Sequence, residues 1–240
     1  MRHRPCVSVL AAAILGGLAL VAWDATTAPA QPKPAPKVLK ALVLREALDA
    51  TSPEALVWKR APVTHVPLRP AFPGHPSIVG TPSTVGLTAQ AVRTPDQLYV
   101  RLAWDDATAD VAVDGTGRFL DAAAVQFPLN GKPTTTPFMG DAANPVNVWY
   151  WRANGQPETL IAAGFGSLTP APVQEVRALG VRTDRGWQVV IARRLTPASD
   201  DGVRLSEVRQ IPVAFAVWNG SNQERDGFKA VTLEWWVLRF

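Results

Sequence analysis

Cysteine is almost missing from this chain: Cys6 is the only one in 240 residues. It lies in the first apolar stretch. Everything after that stretch is therefore without a disulfide, a cysteine metal site, a thiolate nucleophile or a Cys-x-x-Cys-His for covalent haem. Histidine is nearly as scarce, with only His3, His65 and His75. That excludes most histidine-based acid–base catalysis and most zinc sites. No Gly-x-Ser-x-Gly elbow is present, so a hydrolase of that type is also excluded. Charge is low at 18% and the net formal charge is +4. The basic residues are scattered, with no run that would track a phosphate backbone, so nucleic acid is not the partner. Long hydrophobic runs are limited to one, Val7 to Trp23, and no amphipathic segment of helical length follows it.

That run follows Arg2 and Arg4 and precedes Ala28-Pro29-Ala30, an A-x-A cleavage signal. Seventeen residues with Gly16-Gly17 inside are short for a bilayer-spanning helix, which is the competing reading. Residues 1–30 thus read as an export signal of bacterial type. The expected destination is the periplasm, with no stable membrane span after cleavage. Residues 31–40 begin with Gln-Pro-Lys-Pro-Ala-Pro-Lys and read as a Pro-rich arm. Residues 41–240 form the remaining domain.

What is abundant is apolar residues, at 47%, and proline, at 22 positions. Proline opposes long helices and favours short strands joined by turns. Period-two or continuous apolar runs occur at Leu98–Trp104, Ala122–Phe127, Val146–Trp151, Val173–Val181, Trp187–Ala192, Ile211–Trp218 and Val231–Phe240. Asp114-Gly115, Asn130-Gly131, Asn154-Gly155 and Asn219-Gly220 mark turns between them. Residues 61–86 read as irregular chain with short strand pairings. The pattern predicts an all-β fold, a β-sandwich with few short helices.

Carboxylate pairs give little chemistry. Asp105-Asp106 and Asp200-Asp201 are adjacent doublets, and neighbours on a strand point to opposite faces. They read as solvated loops. Asp110, Asp114 and Asp121 match no calcium-loop spacing. Two rarities stand out instead. Met139 is the only methionine after Met1, inside Pro137-Phe138-Met139-Gly140-Asp141. By residue type it is a gap-filler; the constrained loop offers a soft thioether ligand for haem iron as the alternative. After Lys59 the only lysines are Lys132 and Lys229. Lys229 reads as a solvated strand-start lysine or, if buried and neutral, as an amine ligand, a role arginine cannot take.

Three stretches resemble a known family: AAAVQFP at 122–128, PFMGDAANPVNVWYWRA at 137–153 and VAFAVWNGSNQERDGFKAVTLEWWVL at 213–238. They are similar to the haem b (γ) subunits of the type II dimethyl sulfoxide reductase family. That group includes the γ subunits of ethylbenzene dehydrogenase, dimethylsulfide dehydrogenase, chlorate reductase and selenate reductase. The resemblance runs from about Ala41 to Phe240. It implies one non-covalent haem b held between loops of the sandwich, with Met139 and Lys229 as the axial ligands of the iron. It further implies an electron-transfer subunit without catalysis of its own. Its partners would be a molybdopterin catalytic α subunit, an iron–sulfur β subunit and an external carrier such as a soluble cytochrome. Phe127, Phe138, Trp149, Trp151 and Phe228 are the expected haem walls, Arg177, Arg193 or Arg225 the expected propionate partners, and His65 and His75 the reserve ligands. The competing class is a carbohydrate- or ligand-binding sandwich without haem. It would carry a row of exposed aromatics among the nine tryptophans.

Overall fold

The computed structural model describes residues 37–72 and 78–240. The export signal, most of the Pro-rich arm and His75 lie outside them. Among the described residues, fourteen strands carry the fold. They are β1 (Val38–Val43), β2 (Thr64–Pro67), β3 (Arg69–Pro70), β4 (Gly86–Arg93), β5 (Gln97–Asp105), β6 (Ala122–Pro128) and β7 (Val146–Arg152). Then follow β8 (Glu158–Ala162), β9 (Thr169–Pro170), β10 (Arg177–Arg182), β11 (Gly186–Arg194), β12 (Gln210–Trp218), β13 (Ala230–Val231) and β14 (Trp236–Arg239). Among the described residues, helix is confined to two short 3-10 turns at Leu56–Lys59 and Gly220–Asn222. The all-β expectation is met. Among the described residues no helix is long and apolar enough to cross a membrane.

Two sheets share β1. Residues 41–43 of β1 run parallel to β4, which continues to β5, β11 and β10. Residues 38–40 run parallel to β14, which continues to β12, β6, β7, β8 and β9. The first strand therefore begins inside the segment that the sequence assigns to the arm. Its hydrogen-bond partners on both sides, not its local composition, make it a strand.

Strand alternation builds the core. Ala123, Val125 and Phe127 of β6, Trp149 and Trp151 of β7, and Val213, Phe215 and Val217 of β12 face the other sheet. Leu98, Val100 and Leu102 of β5 and Trp187, Val189 and Ile191 of β11 meet them. Trp151 packs edge-on against Trp187 at 5.1 Å and Trp104 at 6.2 Å between ring centroids. Gly180 on β10 makes room for this stack, since a Cβ there would lie 2.2 Å from Cζ2 of Trp151. Gly180→Ala must displace a fully packed indole. A loss of about 1–3 kcal/mol is expected, read as a lower urea midpoint at unchanged m-value.

Two strands escape the sequence reading. The Gly86–Arg93 stretch forms β4, buried on both faces and flanked by β2, β1 and β5. The five-residue β8 is too short to show a period, and its pairing with β7 makes it a strand. Conversely, residues 173–176 are not strand: β10 starts at Arg177. The reading of Asp105-Asp106 as solvated also needs correction. Asp105 is exposed and pairs with Arg185 at 3.1 Å. Asp106 is 4% exposed, and its Oδ1 accepts from Thr108 N and Oγ1 and from Asn219 Nδ2.

Candidate functional site

Alternation that buries Trp149 and Trp151 turns their neighbours outward. The outer faces of β6, β7, β8 and β12 carry Ala122, Ala124, Gln126, Val148, Tyr150, Leu160, Ala214, Ala216 and Trp218. Ala216 lies opposite Ala124, and Ala214 opposite Gln126. Small side chains at adjacent positions leave a flat apolar depression in the sheet. Loops rise around it to form a half-open cavity of about 1680 Å³. That exceeds the roughly 300–1,000 Å³ of ordinary small-molecule pockets. The cavity thus has loop walls, as expected, and a sheet floor.

Met139 and Lys229 both line this cavity. Met139 rests against the outer alanine cluster. Its loop is held from three sides. Gln126 Nε2 donates to Pro137 O at 2.8 Å, Trp235 Nε1 donates to Thr135 O at 2.6 Å, and Gly164 N donates to Met139 O at 2.9 Å. These ties hold Met139 at φ 65°, a left-handed conformation that non-glycine residues avoid.

Lys229 enters from the β12–β13 connection. Its carbonyl accepts from Ala71 N at 3.1 Å, and its Nζ sits 4.8 Å from the centre of the Trp218 ring. Nζ has no hydrogen bond or ion pair among the described residues. Burial pushes the amine down to about 8, with the charge of Asp226 working in the opposite direction. Glu224 fixes the connection: buried, it accepts from Ser83 N and Oγ, Asn222 Nδ2 and Asn219 N. The Met139 loop is thus tied to Gln126, while Lys229 lies over Trp218, which pairs with Ala122. Ala122 and Gln126 lie four residue steps apart along β6, roughly 13 Å of strand.

Asp121 anchors the same connection from below. Fully buried, it accepts from Gly220 N, Asp110 N and Trp187 Nε1, each at 2.9 Å. Burial outweighs these bonds and pushes the carboxyl up to about 6. The folded chain therefore binds this proton more tightly than the unfolded one. The contribution is full below about pH 4 and is lost as pH rises through about 6, on the order of 2–3 kcal/mol. Unfolding curves between pH 4 and 6 should show a shallower pH dependence in Asp121→Asn than in the parent. An unchanged slope would assign the effect to other groups.

The aromatic walls differ from expectation. Phe138 and Phe228 line the cavity. Phe127, Trp149 and Trp151 do not: they belong to the core between the sheets. Tyr150, Trp218, Phe119 and Phe165 take their place. Sequence could have found Tyr150, since it alternates with two tryptophans, but nothing along the strand says which parity faces the second sheet. Burial pushes the Tyr150 phenol up to about 12, so it stays protonated.

The arginine candidates divide similarly. Arg193 is buried in the core, 5.0 Å from the Trp149 ring centre, donating to Asn147 Oδ1, Arg194 O and Val203 O. Arg177 bonds Gln97 on the other sheet. Only Arg225 reaches the cavity, together with Arg118 and Arg152, which the sequence reading missed. His65 is exposed on β2, away from the cavity lining. Among the described residues no group of three or more His, Asp or Glu side chains forms a metal-holding cluster.

Comparison with known proteins places the chain among relatives. The family described as ethylbenzene dehydrogenase matches residues 55–175. The chlorate reductase γ subunit of Ideonella dechloratans is 56% identical over 192 residues, covering 80% of each chain. A protein of Haloferax mediterranei that bears the name of a respiratory nitrate reductase heme subunit is 40% identical, over 78% of this chain and 67% of that one. The dimethylsulfide dehydrogenase γ subunit of Rhodovulum sulfidophilum is 36% identical over 222 residues, 88% of this chain and 82% of that one. A family 9 carbohydrate-binding module from Caldicellulosiruptor kristjanssonii superposes with a TM-score of 0.50 at 8% identity, over 85% of this chain and 93% of that one. At that identity the likeness is one of fold only. On the family match over half its length and on its identity to two γ subunits, the chain belongs to the ethylbenzene dehydrogenase family, alongside the γ subunits of chlorate reductase and dimethylsulfide dehydrogenase.

Proposed function

We propose that this chain is a periplasmic haem b electron-transfer subunit, exported by a cleaved signal at residues 1–30, with Met139 and Lys229 as the axial ligands of the iron. The observation that carries the reading is that two rare residues, on different loops, line one cavity with an apolar floor. The donor set fits such a group. A thioether is soft and suits ferrous iron, and an amine whose proton is already loosened by burial can supply a lone pair. Met139 and Lys229 would hold the haem, which would supply a one-electron iron couple. The chain's own residues supply the surroundings. Phe138, Tyr150, Trp218 and Phe228 exclude water, and the alanines of β6 and β12 admit a flat ring. Gln126, Glu224 and Asp121 hold the two ligand loops in place.

A subunit of this kind relays electrons and does no substrate chemistry alone. The relatives' names as subunits of chlorate reductase and dimethylsulfide dehydrogenase support partners of the kind the resemblance implies. Those are a molybdopterin catalytic α subunit, an iron–sulfur β subunit, and an external carrier such as a soluble cytochrome. The carbohydrate-binding alternative needs exposed aromatic rows. Among the described tryptophans, seven are buried and Trp235 is half-buried. The test is reconstitution of the purified chain with haem, followed by reduced-minus-oxidised spectroscopy. A six-coordinate low-spin b-type spectrum at one haem per chain is expected. Failure to take up haem, alone or with its partner subunits, would overturn the reading.

A further inference from the structure

The cavity has a polarity along its rim that the ligand pair does not explain. Arg118 is exposed and makes no hydrogen bond or ion pair among the described residues. Arg225 stacks on the ring of Phe119 at 4.6 Å and donates to Gln223 O at 3.0 Å, but meets no carboxylate within ion-pair distance. Gly220 brings the two together. A Cβ there would lie 2.0 Å from Phe119 O and 2.7 Å from Asp110 Cβ, so only glycine lets the 219–225 segment lie against the loop that carries Arg118. The third arginine of the lining, Arg152, already has Glu158 as its ion-pair partner. The rim's anions do not neutralise the other two. Glu224 is buried and committed to backbone and side-chain donors, and Asp226 forms no ion pair with either arginine.

An apolar floor, aromatic walls and two guanidinium groups without a carboxylate partner match a flat apolar ligand with two carboxylates at one edge. Resting on the haem reading above, we propose that Arg118 and Arg225 form a carboxylate clamp for the two haem propionates, Arg225 pre-oriented by its stack on Phe119. Guanidinium groups bind carboxylates by paired, charge-assisted hydrogen bonds. Arg177 and Arg193 take no part, because one lies on the other sheet and the other is committed to the core.

The test compares haem with its dimethyl ester, in which both propionates are capped, in the full chain and in Arg118→Gln, Arg225→Gln and Arg177→Gln. Affinity is read by optical titration and by the rate of haem transfer to excess apomyoglobin. The parent should bind the ester about tenfold or more weakly than haem. Each clamp variant should lose haem about tenfold faster and discriminate less between the two porphyrins. Arg177→Gln should behave as the parent. If the parent binds both porphyrins equally, the clamp is wrong while the haem reading stands. Retained discrimination in both clamp variants would place the carboxylates elsewhere and overturn the clamp. If the parent takes up neither porphyrin, the haem reading fails and the clamp with it.

Discussion

Lys229→Arg should keep the positive charge and lose the ligand. Arginine stays protonated and offers no lone pair, whereas Lys229 is half-buried over Trp218 with its amine pushed down to about 8. At that value about one lysine in ten is neutral at pH 7, against roughly one in three thousand at the ordinary value of 10.5. The fold therefore removes most of the cost of freeing the amine before any iron arrives. The expected result is a five-coordinate, high-spin spectrum in Lys229→Arg and Lys229→Ala, with haem affinity reduced about tenfold or more. In the parent, affinity should rise with pH up to about 8 and level off above it, and Lys229→Ala should lack that rise. Met139→Ala should differ in kind. It keeps the amine and loses the thioether that favours ferrous iron, so its midpoint potential should fall. Optical and electron paramagnetic resonance spectra with a redox titration check all three. A six-coordinate low-spin spectrum unchanged in Lys229→Arg would remove Lys229 from the ligand pair.

Gly140→Ala should uncouple the Met139 loop from the sheet. Gly140 sits at φ 66°, a left-handed conformation that costs an L-residue roughly 1–2 kcal/mol. A Cβ there would also lie 2.5 Å from Asn144 O and 3.2 Å from Val146 N, both backbone atoms that cannot turn aside. Relief requires opening the turn in which Asp141 and Asn144 exchange backbone bonds at 3.1 Å. That turn leads directly into β7. The strain and the clash together come to about 3 kcal/mol, concentrated beside Met139. The sheet should remain, because its core lies on the opposite face of β6 and β7. Far-UV circular dichroism close to the parent's, with the six-coordinate spectrum lost, is the expected combination. Normal haem uptake with an unperturbed spectrum would show that this loop does not hold the sulfur in place.

Much of this site is legible in residue types. Methionine and lysine are rare after residue 59, so Met139 and Lys229 stand out by composition alone. Their neighbours in Pro-Phe-Met-Gly-Asp and Arg-Asp-Gly-Phe-Lys-Ala are constrained turns, which is where ligand loops are expected. Other positions are not legible in the same way. The aromatics Phe127, Trp149 and Trp151 read as cavity walls by sequence proximity and lie in the core instead. Arg193 reads as a candidate propionate partner and is instead a buried hydrogen-bond donor in the core, its guanidinium pushed down to about 10 by burial. Arg118 has no local signature at all. It matters only because Gly220 draws another segment against its loop.

The sequence by itself determines the period-two runs, the all-β class, and the residue types able to ligate a soft iron centre. These are local properties, set by side-chain alternation along single strands and by the chemistry of single residues. Tertiary structure decides which parity of β7 faces the second sheet, and so whether a tryptophan fills the core or a tyrosine walls the cavity. It also decides which strands flank β4, which arginines keep free hydrogen-bonding capacity, and that the Met139 and Lys229 loops open on one cavity. The physical reason is that a strand's two faces are equivalent until another layer covers one of them. That layer is contributed by residues distant in sequence.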